Sequence, residues 1–197
     1  MSVPKRVKVV EVGPRDGLQN ESMLIPAREK IAFIDRLTAA GLQAIETTSF
    51  VSPRWVPQLG DADQVFPAIV KRPGVTYSVL VPNLVGLDRA LAVGATDIAV
   101  FTAASETFNR HNINASIDES LSRISAVVAK ARAHGMGVRG YVSTSFGCPY
   151  EGAVAPSAVA DVAGRLQAIG MDEIALGDTH GGANPDLVHH VLDAVLK

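Results

Sequence analysis

One cysteine, Cys148, stands in the 197 residues of this sequence. A lone thiol closes no internal disulfide and builds no cysteine-based zinc site. No block of one charge is present either: 18 Lys and Arg stand against 20 Asp and Glu, a formal net charge of -2. Without a basic cluster, no nucleic-acid partner is expected. No stretch approaches the ~20 apolar residues of a membrane span, so no membrane partner is expected. The opening residues Met1–Arg6 lack the apolar run of a secretory signal. These absences set the expectation of a soluble, cytoplasmic protein. The first strand–helix turn also lacks a Gly-x-Gly-x-x-Gly fingerprint, which weakens a dinucleotide-binding reading.

What is present points to an ordered core. Hydrophobic residues make up 47% and charged residues only 19%, a balance unlike that of disordered chains. The length suits one domain, and no linker or low-complexity stretch divides residues 1–197. Strand-like and helix-like segments alternate. Val7–Val12 predicts a first strand, and Pro26 opens a helix that Gly41 ends. Ala44–Phe50 predicts the second strand, followed by a loop over 52–57 that two prolines stiffen and a helix over 62–70. Tyr77–Val81 is the third strand, and Asn83 caps the helix after it. Asp97–Phe101 is the fourth. Ser116 and Glu119 form a capping box that starts a helix running to about Gly135. Val138–Ser143 is the fifth strand. Val159, Val162, Leu166 and Ile169 mark a helix ended by Gly170. Glu173–Gly177 is the sixth strand, and Asn184–Pro185 starts the last helix. Gly41, Gly94, Gly135 and Gly170 each end a helix shortly before a strand. Six such units imply an α/β fold of parallel βαβ type, with a barrel or a doubly wound sheet both compatible.

Polar residues recur at the strand ends: Arg15 and Asp16, Asn83, Ser105 and Glu106, Tyr141 and Ser143, Asp178 and Thr179. In a parallel barrel such ends share the rim where catalytic groups sit. Arg15-Asp16 suits an anionic substrate, a metal ion or both, and is equally readable as a salt-bridged turn. Glu46 lies inside an apolar strand, where a carboxylate is costly unless paired or metal-bound; a buried pair with Arg15 or Arg139 is its structural reading. Asp178 could instead cap the turn that follows it. Of five histidines, only His180 falls at this rim. His189 and His190 fall in the last helix, His134 near a helix end, and His111 in a surface loop.

Several motifs then coincide. Val12-Gly13-Pro14-Arg15-Asp16-Gly17-Leu18-Gln19-Asn20-Glu21 closely resembles the signature of the 3-hydroxy-3-methylglutaryl-CoA lyases. Glu46–Pro53, Trp55–Gln58, Asn112–Asn114, Arg139–Ser143, Gly147–Gly152 and Leu176–Thr179 resemble the same family in the same order. The resemblance implies a TIM (β/α)8-barrel fold with about six βα units in this chain, forming one partial, pyruvate-carboxyltransferase-like catalytic domain. It implies a carbon–carbon lyase that yields acetyl-CoA and acetoacetate in leucine breakdown and ketone-body formation. By the same resemblance Asp16 is a metal ligand for Mg²⁺ or Mn²⁺, and Arg15 stabilises the enolate of the departing acetyl-CoA. Glu46 and Asp178 are active-site acids, while Gln19, Asn112, Tyr141 and Ser143 line the pocket for an acyl-CoA substrate. Oxygen ligands with water suit these ions.

The resemblance also marks departures. Val85 stands where relatives commonly carry Lys, and His180 where they carry an apolar residue. The family's His-x-His pair, Asn ligand and mobile loop with a catalytic Cys are expected beyond Lys197, and Cys148 matches a different family cysteine. The sequence is then either a natural short form, with barrel strands seven and eight absent, or a fragment of a longer protein; residues 1–197 as given are expected to bind divalent metal weakly, to turn over near background and to associate into a homo-oligomer through unpaired strand edges. Two other functions fit the motifs: a lyase for a longer 3-hydroxyglutaryl-CoA, and a catalytically silent family member acting in assembly.

Overall fold

Alternation of buried parallel strands with glycine-terminated helices governs the structure, a computed structural model that describes residues 5–197. It divides into two compact units, one ending at Ile98 and the other starting at Ala99.

In the first unit, a π-helical turn, Gly13–Gly17, is followed by α1 (Ala27–Ala39), β1 (Ala44–Ser49), a 3-10 turn (Pro57–Leu59), α2 (Ala62–Ala68), β2 (Thr76–Leu80) and α3 (Leu84–Ala92). Strands β1 and β2 pair in parallel from Ala44↔Thr76 to Ser49↔Leu80, with a register shift between Glu46 and Thr48. Every residue of β1 is buried, as befits a parallel strand covered on both faces. Ile34, Ile45, Leu59, Val65, Phe66, Val79 and Leu87 form the core. Asn83 caps α3, its Oδ1 accepting the Gly86 N–H at 2.9 Å.

Strand β3 (Asp97–Ala103) carries the chain into the second unit, which continues with α4 (Glu106–Ile113), α5 (Ile117–Ala133), β4 (Gly137–Ser143), α6 (Pro156–Ile169), β5 (Glu173–Leu176) and α7 (Pro185–Val195). Strands β4 and β5 are parallel, from Arg139↔Glu173 to Val142↔Leu176. On β4 burial alternates: Val138, Gly140 and Val142 are covered, while Arg139, Tyr141 and Ser143 are half-buried. The expected capping box opens α5: Ser116 Oγ accepts the Glu119 N–H at 3.0 Å, and Glu119 Oε2 accepts the Ser116 N–H at 2.7 Å. Helix α6 ends at Gly170 in the left-handed region, φ 103°, the conformation a glycine adopts without Cβ strain.

Two expectations need correction. The expected first strand is not one: Glu11 makes a single parallel bridge to Ile45, and the rest of 7–12 forms no ladder. Val7 and Val9 are exposed, so their apolar character has no packed face to serve. The five strands β1 to β5 are the expected second to sixth. Residues 106–113 also form a helix rather than surface loop, which places His111 on α4. Its sequence is mostly polar, but Ser105 Oγ accepts the Phe108 N–H at 3.0 Å and starts it, and left-handed Asn114 ends it. Among the described residues, no helix is long and apolar enough to cross a membrane.

Candidate active site

The bridge at Glu11 aligns the first group of candidate residues. Glu11 N–H donates to the Ala44 carbonyl at 2.9 Å, and Glu46 N–H donates to the Glu11 carbonyl at 2.8 Å. Immediately afterwards the chain coils: the N–H groups of Arg15, Asp16 and Gly17 all point at the Val12 carbonyl, at 3.1, 2.7 and 3.5 Å. Buried Pro14 starts this turn. Glu11 Oε1 accepts the Gly13 N–H at 2.6 Å, and a Cβ on residue 13 would lie 2.7 Å from that oxygen, so any larger residue there would push the Glu11 carboxylate aside.

The turn delivers Arg15 onto Glu46. Arg15 Nε donates to Glu46 Oε1, and Arg15 Nη1 donates to Asp16 Oδ1 at 2.7 Å. Glu46 is fully buried, and the Asp16 side chain is 57% exposed. The expectation of a buried pair is thereby resolved: Glu46 takes Arg15, whereas Arg139 pairs with Glu173 at 3.2 Å. A guanidinium spreads its donors over a rigid fork, and here the fork is clamped on one side by a buried carboxylate while the other side meets solvent. Thr48 Oγ1, across the register shift from Glu46, is buried with no hydrogen-bond partner, a hydroxyl available to a bound group. Gln19 is half-buried just past the turn.

The second unit holds the remaining candidates. Asp178 follows β5; its Oδ1 accepts the Gly182 N–H at 3.1 Å and its Oδ2 the Ala183 N–H at 3.0 Å. It does cap its own turn, as one reading of the sequence held. The loop is tied to the end of β4, since Thr179 Oγ1 accepts the Thr144 N–H at 2.7 Å and Ser145 N–H reaches the Gly177 carbonyl at 3.1 Å. Thr144 sits at φ 58°, a strained conformation for a β-branched residue. Ser143, at the end of β4, accepts the Ala104 N–H on its carbonyl at 3.0 Å. Tyr141 shares its half-buried face, with the Arg139 guanidinium carbon 5.6 Å from its ring centre. Asn112 is an exposed residue of α4. Nearby, Thr107 donates to Glu151 Oε1 at 2.8 Å, and this hydrogen bonding holds the Glu151 carboxyl below its ordinary range.

The sequence reading missed the setting of His180 and the buried pairing of Cys148. The His180 ring lies where a Cβ on Gly147 or Gly182 would have to go. The Cys148 thiol is buried, 3.1 Å from Ser105 Oγ and within 3.4 Å of the Tyr150 and Glu151 amides. The glycines flanking His180 were the available signal. Nothing in the sequence placed Ser105 beside Cys148. Among the described residues, no group of three or more His, Cys, Asp or Glu stands ready to hold a metal ion. Asp16 alone offers a hard, solvent-facing carboxylate at the turn.

A family model described as HMGL-like matches residues 6–197. The chain belongs to the HMGL-like family. Hydroxymethylglutaryl-CoA lyase of Rattus norvegicus mitochondria is 54% identical over 195 residues, which cover 99% of this chain and 60% of the relative. A cytoplasmic form of that enzyme is among the other relatives. The crystal structure of the Pseudomonas aeruginosa hydroxymethylglutaryl-CoA lyase superposes with a TM-score of 0.96 at 51% identity, covering 99% of this chain and 65% of that one. An HMG-CoA lyase from Acinetobacter baumannii, solved in complex with coenzyme A and 3-methylmalate, gives 0.92 at 35% identity, covering 100% and 64%. The chain thus spans about 60% of the length of the curated relatives it matches. The fold class of this HMGL-like chain is α/β, of the TIM-barrel type.

Proposed function

We propose that the protein is a hydroxymethylglutaryl-CoA lyase, cleaving 3-hydroxy-3-methylglutaryl-CoA to acetyl-CoA and acetoacetate, as a step of leucine degradation. The observation that carries this reading is Arg15, fixed by buried Glu46 and turned toward exposed Asp16, in a chain of the HMGL-like family.

The reaction removes the proton from a tertiary hydroxyl, breaks the adjacent carbon–carbon bond and leaves the electron pair on the thioester as an enolate. A preorganised cation beside the thioester oxygen meets that charge as it develops. Arg15 has this task, and Glu46 prevents it from swinging away. Asp178, immobilised by two backbone N–H groups, is the proposed acceptor of the hydroxyl proton. Gln19, Asn112, Tyr141 and Ser143 are the proposed substrate-lining groups. Asp16 presents the oxygen chemistry that Mg²⁺ or Mn²⁺ prefers, and such an ion acidifies a chelated hydroxyl. That residues 1–197 act as one catalytic domain, in a cytoplasmic homo-oligomer, belongs to the same proposal; the cytoplasmic relative supports the location.

The test is an assay of acetoacetate release from the CoA thioester with Mg²⁺ present. Residues 1–197 alone are expected to turn over near background, and a form that also carries the family's histidine pair and loop cysteine, in which the variants are assayed, in the usual enzyme range of ~1–10³ s⁻¹. Arg15→Gln is expected to lower kcat by roughly 10²–10³, the cost of removing one charge-stabilising donor, and Asp16→Asn to weaken the response to Mg²⁺. Undiminished turnover in both variants would overturn these roles.

A further inference from the structure

The loop after β5 grips Asp178 with its own backbone. Gly182 and Ala183 donate their N–H groups to Asp178 Oδ1 and Oδ2 at 3.1 and 3.0 Å. These bonds fix the carboxylate to the crown of the loop, and the crown must itself be fixed to something else. Residues 178–182 are all exposed, so burial does not anchor it. At the root, Thr179 Oγ1 accepts the Thr144 N–H at 2.7 Å, and Ser145 N–H donates to the Gly177 carbonyl at 3.1 Å. Neither bond reaches residues 180–183.

The His180 ring joins the crown to a second loop. A Cβ on Gly182 would lie 2.7 Å from its Nδ1, and a Cβ on Gly147 would lie 2.6 Å from its Nε2. Both distances are shorter than a van der Waals contact, so the ring fills the space that two absent side chains leave. The seat is backbone on both sides and takes the ring by shape. Gly147 is the fixed side. Beside it, buried Cys148 exchanges two backbone hydrogen bonds with Gly152, at 2.7 and 2.9 Å, and Glu151 Oε1 accepts the Thr107 N–H in the first turn of α4 at 2.8 Å. Gly182 is the side that governs Asp178, because this one residue both meets the ring and donates to Oδ1.

We propose that His180 is a positioning residue for Asp178. Its ring, seated between Gly147 and Gly182, holds the Gly182 amide, and that amide sets the direction of the carboxylate that takes the hydroxyl proton. The inference rests on the lyase reading and adds a residue to its proton-transfer step. A loop with few buried contacts opens at low cost, and a catalytic group misplaced by ~1 Å can lose ~10²-fold in rate. A ring that ties the crown to a fixed neighbour opposes that displacement. His180 itself takes up no proton in this step.

The test is steady-state kinetics in the form that carries the histidine pair and loop cysteine. His180→Ala empties the seat at an exposed position and should leave the fold intact by circular dichroism. It should lower kcat by about 10–10²-fold and leave KM unchanged, because the carboxylate and not the substrate contacts is misplaced. His180→Leu refills the seat and should restore most of the rate. In an Asp178→Asn background His180→Ala should lower kcat no further, since a residue that acts through Asp178 loses its effect with it. Amide hydrogen exchange, which needs no turnover, should speed up in His180→Ala at Gly182 and Ala183 and stay unchanged along β4. An unchanged kcat in His180→Ala, a change in KM alone, or unchanged exchange at the two amides overturns the assignment and leaves the lyase reading standing. So does a Leu variant no better than Ala, or a loss that adds to that of Asp178→Asn. Absence of turnover in the unsubstituted form overturns the lyase reading and the assignment with it.

Discussion

The turn after Glu11 and the loop after β5 each present a carboxylate beyond a strand, and they hold it by opposite means. Glu46 has lost all contact with water, and its charge is met by the guanidinium of Arg15. Asp178 remains exposed, and its two oxygens are met by the amides of Gly182 and Ala183. The first arrangement is made of side chains in a low-dielectric setting, where burying the Glu46 charge is costly unless a cation meets it. The second is made of backbone, in contact with solvent, where losing the carboxylate frees amides that water can satisfy. One is rigid because separation is expensive, the other because the loop is folded around it.

The contrast is sharpest for truncation. Glu46→Ala is expected to cost about 2–3 kcal/mol of stability, since it takes the carboxylate acceptor from the largely buried Arg15 Nε–H while Asp16 still meets Nη1. Asp178→Ala should cost only about 1 kcal/mol, the net worth of exposed hydrogen bonds. Urea unfolding of the two variants measures both. Equal losses would mean that burial of Glu46 is not what distinguishes the two regions.

The same contrast explains what could be read in the sequence. A carboxylate inside an apolar strand demands a partner, so Glu46 pointed to Arg15 or Arg139 before any coordinates, and the structure selects Arg15. Asn83, Ser116 and Asn184 were legible as helix caps because the residue type itself supplies the missing acceptor; Asn184 Oδ1 indeed accepts the Leu187 N–H at 2.9 Å. The first strand misled, because the apolar run Val7–Val10 signals burial by composition while only Glu11 finds a bridging partner. Helix α4 was hidden by its polar composition. The bonds of Asp178 run to main-chain amides whose direction no residue type announces, and the fit of His180 over two glycines depends on loops meeting across 33 residues.

That fit gives the next test. A Cβ on Gly182 would collide with the His180 ring, whereas at Gly147 the backbone itself is left-handed, φ 138°, and the ring is close as well. Gly182→Ala is expected to cost about 0.5–1.5 kcal/mol by forcing the exposed His180 ring off its rotamer. Most of that cost should vanish in the His180→Ala background, and a double-mutant cycle reads the coupling. Gly147→Ala should stay destabilising in both backgrounds, because removing the ring does not relieve its backbone. A Gly182→Ala cost that persists without His180 would show that the loop around Asp178 is shaped by something other than this ring.

The smallest effect lies at the start of β5, where Asp172 combines the two means. Arg132 Nη2 donates to its Oδ1 at 2.7 Å, and Val138 N–H donates to its Oδ2 at 2.8 Å. The Arg132 hydrogen bond first, and the Val138 amide second, hold the Asp172 carboxyl below its ordinary range. A carboxyl lowered on folding contributes stability that is complete above its unfolded pKa, about 3.9, and is lost as pH falls through the folded value. The pair is half exposed, so solvent screening limits the contribution to about 0.2–1 kcal/mol. Asp172→Asn keeps an acceptor for the Val138 amide but loses the charge that Arg132 meets. The stability gap between wild type and variant should therefore be small and constant from about pH 5 to 8 and should close below about pH 4. Glu119 and Glu151, whose carboxyls are also lowered by hydrogen bonding, titrate alike in both proteins and cancel from the difference. A gap near zero at every pH would show that the Val138 amide alone holds Asp172, as amides hold Asp178, and a gap that survives at pH 3 would show that the charge met by Arg132 is not its source.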